Sequence, residues 1–186
     1  IKLIESMLPQ LNEDIEYLEI MGIEGNAARV YFPRIFDVVT WKGRKPRVKS
    51  DYINTTLDIG YTMLFNIVDA ILQVYGFDTY YGVFHKCFYM RKSLVCDIME
   101  PMRPIIDWQV RKAINLGQCK EEHFDVYNHR WVLKYKNNPD YIQFLMKAIL
   151  EYKESIFMYI QSYYRYFMKK KSVTELPRFV YNGKDS

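Results

Sequence analysis

The stretch GVFHKCFYMRKSLVCDIMEPMR, residues 82–103, holds one histidine among glycine and aromatics, followed by two acids, Asp97 and Glu100, three residues apart. If the second half is helical, both carboxylates share one face, because residues three apart lie nearly above one another. An imidazole and two carboxylates aimed at one point make a site for a divalent cation. The same residues also fit a solvated helix face beside a loop histidine, and spacing alone favours that plainer reading, since acids at i, i+3 are common. Glu24, in MGIEGNAARVYF, is the fourth candidate. Gly22 and Gly25 flank it, which allows close backbone approach or tight helix packing. Taken alone, Glu24 reads better as an acid in the first turn of a helix, where the helix dipole favours it. Carboxylates with one imidazole suit Mg²⁺ or Mn²⁺, and the imidazole tilts the choice toward Mn²⁺.

Other chemistries have less behind them. Cys87 lies two residues from His85 but lacks a partner to orient a base, so it reads as a small buried hydrophobe. His123 and His129 read as structural. No phosphate-binding loop, dinucleotide-binding glycine pattern or GxSxG elbow occurs.

The elements that must position these residues are helices. Leu11, Ile15, Leu18 and Met21 form one stripe of a helix that starts near residue 10 and continues until Pro33 interrupts it. Ser50 and Asp51 are N-caps for a long apolar helix that Gly76 closes. Residues 77–92 read as a loop. Ser93 caps a helix toward Leu116 that Pro101 and Pro104 must kink or break. Asn128-His129, between short alternating runs, is the turn of a small hairpin in 125–135. Pro139 opens a last helix through about Lys170, whose Tyr152, Ile156, Ile160, Tyr163 and Phe167 are mostly core, and the tail GKDS frays. The fold class is mainly α: an N-terminal helical arm, 1–23, and one helical domain, 24–186.

At 186 residues, with 49% hydrophobic and 26% charged, the chain has ordinary globular composition. No apolar run is expected to span a membrane, and no signal-peptide pattern opens the chain. Three cysteines without CxxC spacing argue against a disulfide framework or a zinc ribbon and fit a reducing cytoplasm. The net charge of +4 is too small to diagnose a nucleic-acid binder, but its distribution says more. Residues 1–24 hold six acids against one lysine, while WKGRKPRVK, 41–49, has five bases and no acid, and RYFMKKK, 165–171, adds four bases. Bases beside aromatics suit a phosphate backbone, and they equally suit solvated loops and helix ends.

Four segments carry a resemblance. MGIEGNAARVYF, RKPRVKSDYINTTLDIGYTMLFN, GFDTYYGVFHK and SLVCDIMEPMRP stand in the order and approximate spacing of the motifs of the CRISPR-associated integrase family of spacer acquisition. The chain resembles that family strongly over residues 10–118 and weakly beyond. The resemblance implies a helical catalytic domain that binds Mg²⁺ or Mn²⁺ through Glu24, His85 and Glu100, with Asp97 supporting the site. It implies strand transfer, in which the 3′-hydroxyl of a short spacer-precursor DNA attacks a phosphodiester at the edge of a CRISPR repeat. A metal-dependent endonuclease of branched DNA and a non-catalytic DNA-binding scaffold are the alternatives. Arg44, Lys45, Arg47, Lys49, Lys86, Arg91, Lys92 and Arg103 are the expected DNA-backbone contacts. Relatives usually carry an N-terminal β-rich domain, so the short N-terminal segment here implies either a trimmed catalytic domain or, as the favoured reading, a short type V form that acts without a Cas-two partner. Its assembly is expected to be a homodimer or tetramer, through apolar positions of the N-terminal segment such as Leu3, Leu8 and Leu11.

Overall fold

The computed structural model describes residues 2–12, 14–37 and 41–181, which form two compact units, 1–46 and 47–186. The expected tail at GKDS lies outside the described residues. The expected boundary at 23/24 falls inside a helix, so the arm and the domain are not divided there.

In the first unit, α1 (Lys2–Glu5) packs against α2 (Tyr17–Ile35). The second helix starts later than its apolar stripe suggests: Leu11 and Ile15 precede it. A capping box decides the start. Glu16 accepts from the N3 backbone, and Glu19 reaches back to the backbone N–H of Glu16. The first-turn acid is therefore Glu19, and Glu24 lies a turn further in, on an exposed position. Pro33 does not stop the helix, which runs on to Ile35. A Cβ at Gly22 or Gly25 would meet nothing within 4 Å, so among the described residues these glycines serve no close packing.

The second unit is built around α3 (Tyr52–Val74). Asp51 caps it by accepting from the Asn54 N–H at 2.7 Å. At the other end Gly76, at φ +79°, closes a Schellman turn in which the Phe77 N–H reaches the Leu72 carbonyl and the Gly76 N–H that of Gln73. This helix has the length and apolar character of a membrane span, contrary to expectation, yet Ile53, Leu57, Leu64, Val68 and Leu72 are fully buried among its neighbours. It is a core helix.

Helix α4 (Ser93–Met99) gives way at Glu100–Met102 to a 3₁₀ turn containing Pro101, and α5 (Arg103–Asn115) resumes with Pro104 in its first turn. The break at the prolines is as expected. Ser93 is not the cap; it is the first helical residue, and its hydroxyl donates to the Lys86 carbonyl. Strands β1 (Phe124–Tyr127) and β2 (Arg130–Leu133) pair antiparallel, Phe124 opposite Leu133. Asn128 and His129 both take positive φ, as a two-residue hairpin turn requires. The last helix is two, α6 (Asn138–Glu151) and α7 (Lys153–Met168), with a break at Tyr152. Ile156, Ile160 and Tyr163 face the core, whereas Phe167 is exposed.

Candidate active site

The site is organised by one carboxylate. Asp97 sits on α4, and the loop before that helix folds back over it. Its Oδ2 accepts from the Val83 N–H at 2.6 Å and the Phe84 N–H at 3.0 Å. Its Oδ1 accepts from the His85 N–H at 3.0 Å and lies 2.5 Å from His85 Nδ1. Four donors thus converge on one side chain, which is how a loop without regular structure acquires a fixed path. Gly82 is required by the same packing. A Cβ there would fall 2.7 Å from Ser93 Cβ and 2.9 Å from Asp97 Oδ2, and would strike the His85 carbonyl. Further ties hold the loop: Leu94 N–H to the Thr79 carbonyl and Arg91 N–H to that of Phe88. Behind Asp97, burial and then the Asp97 charge push the Tyr163 phenol up to about 12, so it stays neutral.

With Asp97 accepting at Nδ1, a proton resides there and the ring turns its other nitrogen away from the carboxylate. Asp97 thus fixes the direction in which the His85 ring points. Glu100 lies one turn on, where α4 passes into the 3₁₀ turn, and its Oε1 meets Arg103 Nη2 at 2.9 Å. Among the described residues of this unit, no three His, Cys, Asp or Glu side chains form a closed cage. An imidazole nitrogen and a carboxylate oxygen are nonetheless the donors that Mg²⁺ or Mn²⁺ accepts. Glu24 belongs to the first unit.

The basic residues divide. Arg47 is exposed in the 41–49 loop, where Arg47 and Lys49 both adopt positive φ and the Lys49 carbonyl accepts from the Trp131 N–H at 3.0 Å. Lys45 and Lys86 are exposed, and Arg44 and Arg91 are half-buried. Lys92 is committed to the fold: its Nζ lies 2.6 Å from Asp69 Oδ2 on α3 and over the Tyr80 ring. Arg103 is likewise held, between Glu100 and the Tyr61 ring. Cys87 is exposed, not buried as its apolar character suggested. His123 is structural, its Nδ1 3.1 Å from the Tyr141 hydroxyl.

Against this geometry, the family model described as CRISPR associated protein Cas1 matches residues 1–147. The chain belongs to the Cas1 family. It is 33% identical over 125 residues to a CRISPR-associated endonuclease Cas1 of Chlorobaculum tepidum, covering 63% of this chain and 36% of the relative. The Thermotoga maritima Cas1 endonuclease is 27% identical over 139 residues, covering 72% of this chain and 44% of the relative. The chain thus spans less than half the length of these curated relatives. Among solved structures, a Cas1 protein from Thermotoga maritima superposes with TM-score 0.79 at 24% identity, over 88% of this chain and 56% of that one. A casposase bound to integration product gives 0.77 at 21% identity, over 92% and 56%. A partial Cas6-RT-Cas1–Cas2 complex gives 0.83 at 22%, over 96% and 58%. At these identities the superpositions establish the mainly helical fold. The expectation of a form that acts without a Cas-two partner finds no support among these relatives.

Proposed function

We propose that this Cas1 chain carries out the strand-transfer chemistry of CRISPR adaptation, joining the 3′-OH ends of short spacer-precursor DNA to the CRISPR repeat with the help of Mg²⁺ or Mn²⁺. The observation that carries the reading is the Asp97 carboxylate, which gathers the 83–85 amides and His85 Nδ1 at once and so holds one imidazole in one orientation. An imidazole held in place this way supports a ligand role for His85. His85 and Glu100 would hold the ion. When bound, such an ion supplies Lewis-acid stabilisation of charge developing on the attacked phosphate. Asp97 holds the His85 proton at Nδ1 and keeps the loop closed over α4. The exposed cations Lys45, Arg47 and Lys86 would position the duplex through its phosphates, without reading sequence. The product-bound casposase that shares the fold supports joining, and the endonuclease names of the relatives favour hydrolysis at the same site as the second reading. DNA is the macromolecular substrate, an assembly of two or four copies presents the paired active sites that two-ended insertion needs, and such an activity belongs in the cytoplasm.

Incubating the intact protein with short duplex DNA, a supercoiled repeat-bearing plasmid and Mn²⁺, then sequencing junctions, tests the reading. Joined strands are expected from the wild type and none from His85→Ala or Glu100→Ala, with the melting temperature nearly unchanged. Wild-type joining by either variant would overturn the site. Cleavage without junctions would favour the hydrolytic reading.

A further inference from the structure

We infer that Arg103 is a positioning residue for Glu100, with the Tyr61 ring as its platform and the buried Asp107 as the anchor of that platform. The inference rests on Glu100 being a metal ligand, and it reassigns a cation that the sequence offered as a DNA-backbone contact.

An ion pair one helical turn apart orients little when both side chains are free, because each samples many rotamers. Glu100 and Arg103, each about one-third exposed at 33% and 37%, would fall in that class if they had only one another. Arg103 has more. Its guanidinium carbon lies 5.3 Å from the centroid of the Tyr61 ring, a distance at which the cation is drawn to the ring face. That ring is fixed in turn. Tyr61 is buried on α3, and its hydroxyl donates to Asp107 Oδ1 on α5. Asp107 is 2% exposed and accepts that bond inside the core, where a buried polar group needs a partner. The planar cation is therefore seated on a rigid surface while its Nη2 reaches Glu100 at 2.9 Å.

The remaining donor geometry argues against a phosphate grip. Arg103 Nε is shut off from solvent and has no hydrogen-bond partner among the described residues. The Nε edge cannot close a two-pronged contact with a phosphate from outside. What the guanidinium does reach is Glu100, and fixing one carboxylate oxygen sets the direction in which the other points. Groups that orient a metal ligand in this way typically change metal affinity by roughly 10–100-fold when removed.

The test is Mn²⁺ affinity of the intact protein by titration calorimetry, read beside duplex-DNA affinity over a salt series. Arg103→Ala is expected to weaken Mn²⁺ roughly 10–100-fold while leaving the salt slope of DNA binding unchanged. Arg103→Lys keeps the charge but loses the planar face and the fork, so it is expected not to restore Mn²⁺ affinity. Should the alanine variant melt early, the lysine variant carries the test alone. An Arg103→Ala protein that binds Mn²⁺ as tightly as wild type, or full rescue by lysine, overturns the inference. So does a salt slope lowered by about 0.9 with Mn²⁺ affinity intact, which is the mark of a lost phosphate contact. Glu100→Ala separates the two levels. If it leaves Mn²⁺ affinity unchanged, the metal-site reading falls and takes this inference with it; if it weakens Mn²⁺ and Arg103→Ala does not, only the positioning role falls.

Discussion

Asp97 has four hydrogen bonds to lose, and asparagine is a poor substitute for it. Three backbone N–H groups and one ring nitrogen share the two carboxylate oxygens. Asparagine would offer one oxygen and turn an NH₂ group toward other donors. Asp97→Asn is therefore expected to do more than blunt activity: losing charge-assisted bonds in a half-buried setting costs about 1–3 kcal/mol. In a chain of this size each 1 kcal/mol lowers the melting point by roughly 2–4 °C. Thermal denaturation checks the number, and hydrogen exchange at the 83–85 amides checks the location. A variant that melts like wild type and protects those amides would show that the loop holds itself. The supporting role that the family resemblance implies makes Asp97→Asn the milder of the site substitutions; the geometry makes it the one that also unsettles the fold.

Helix crossings set the next scale. At Gly60, α3 passes so close to α5 and α6 that an added Cβ would lie 2.5 Å from Ile106 Cγ2 and 3.0 Å from Leu145 Cδ2. The Ile106 branch is buried and cannot swing away. Gly60→Ala is expected to destabilise by about 1–3 kcal/mol through overpacking, against the roughly 1 kcal/mol that alanine gains over glycine in a helix. Gly22→Ala on α2 meets open space, so the helix gain of about 0.5–1 kcal/mol should stand alone. Opposite signs in two melting curves are the expected result. The tie between α3 and the start of α4 has its own pH signature. Burial disfavours the Asp69 charge, but hydrogen bonds led by Lys92 outweigh it and hold the carboxyl below its ordinary 3.8. A depressed carboxyl stabilises the folded state above its unfolded value, and that contribution disappears as pH falls through the folded one. Asp69→Asn should thus flatten the decline in stability below about pH 4, by less than about 1 kcal/mol for a pair this near the surface. An unchanged acid limb in urea melts would remove Asp69 from the account.

Charge distribution belongs to the whole molecule. The bases of 41–49 lie on a stretch without regular structure, with Lys42, Lys45 and Arg47 exposed. If this stretch tracks a phosphate backbone, neutralising Lys42, Arg44, Lys45 and Arg47 together should reduce the slope of log affinity against log salt by about 0.9 per lost contact. Fluorescence anisotropy on a duplex over a salt series gives the slope directly. An unaltered slope would make these bases solvated surface. His85→Ala should leave the slope as it is, because joining and binding draw on different residues.

Much of this protein is legible in its residues because the signals are local. The Asp51 cap, the Gly76 stop, the break at Pro101 and Pro104 and the Asn128-His129 turn each follow from the backbone preferences of one or two residues. The ordered motifs around Glu24, His85 and Glu100 give the family for the same reason. What sequence misjudged were competitions among neighbours. The stripe at Leu11 and Ile15 promised an earlier helix start than the Glu16–Glu19 box allows, and Tyr152 divides a helix that periodicity runs together. What it could not reach were contacts between residues far apart in the chain. Asp97 closing over the 83–85 amides leaves a faint trace in Gly82, but Tyr61 and Asp107 are forty-six positions apart, with no spacing rule to join them. Nor does sequence distinguish Lys92 and Arg103 from the exposed bases around them. Local backbone energetics were written in the chain; the tertiary structure alone decided which charges are spent inside the fold, because burial and partnership depend on what packing brings near.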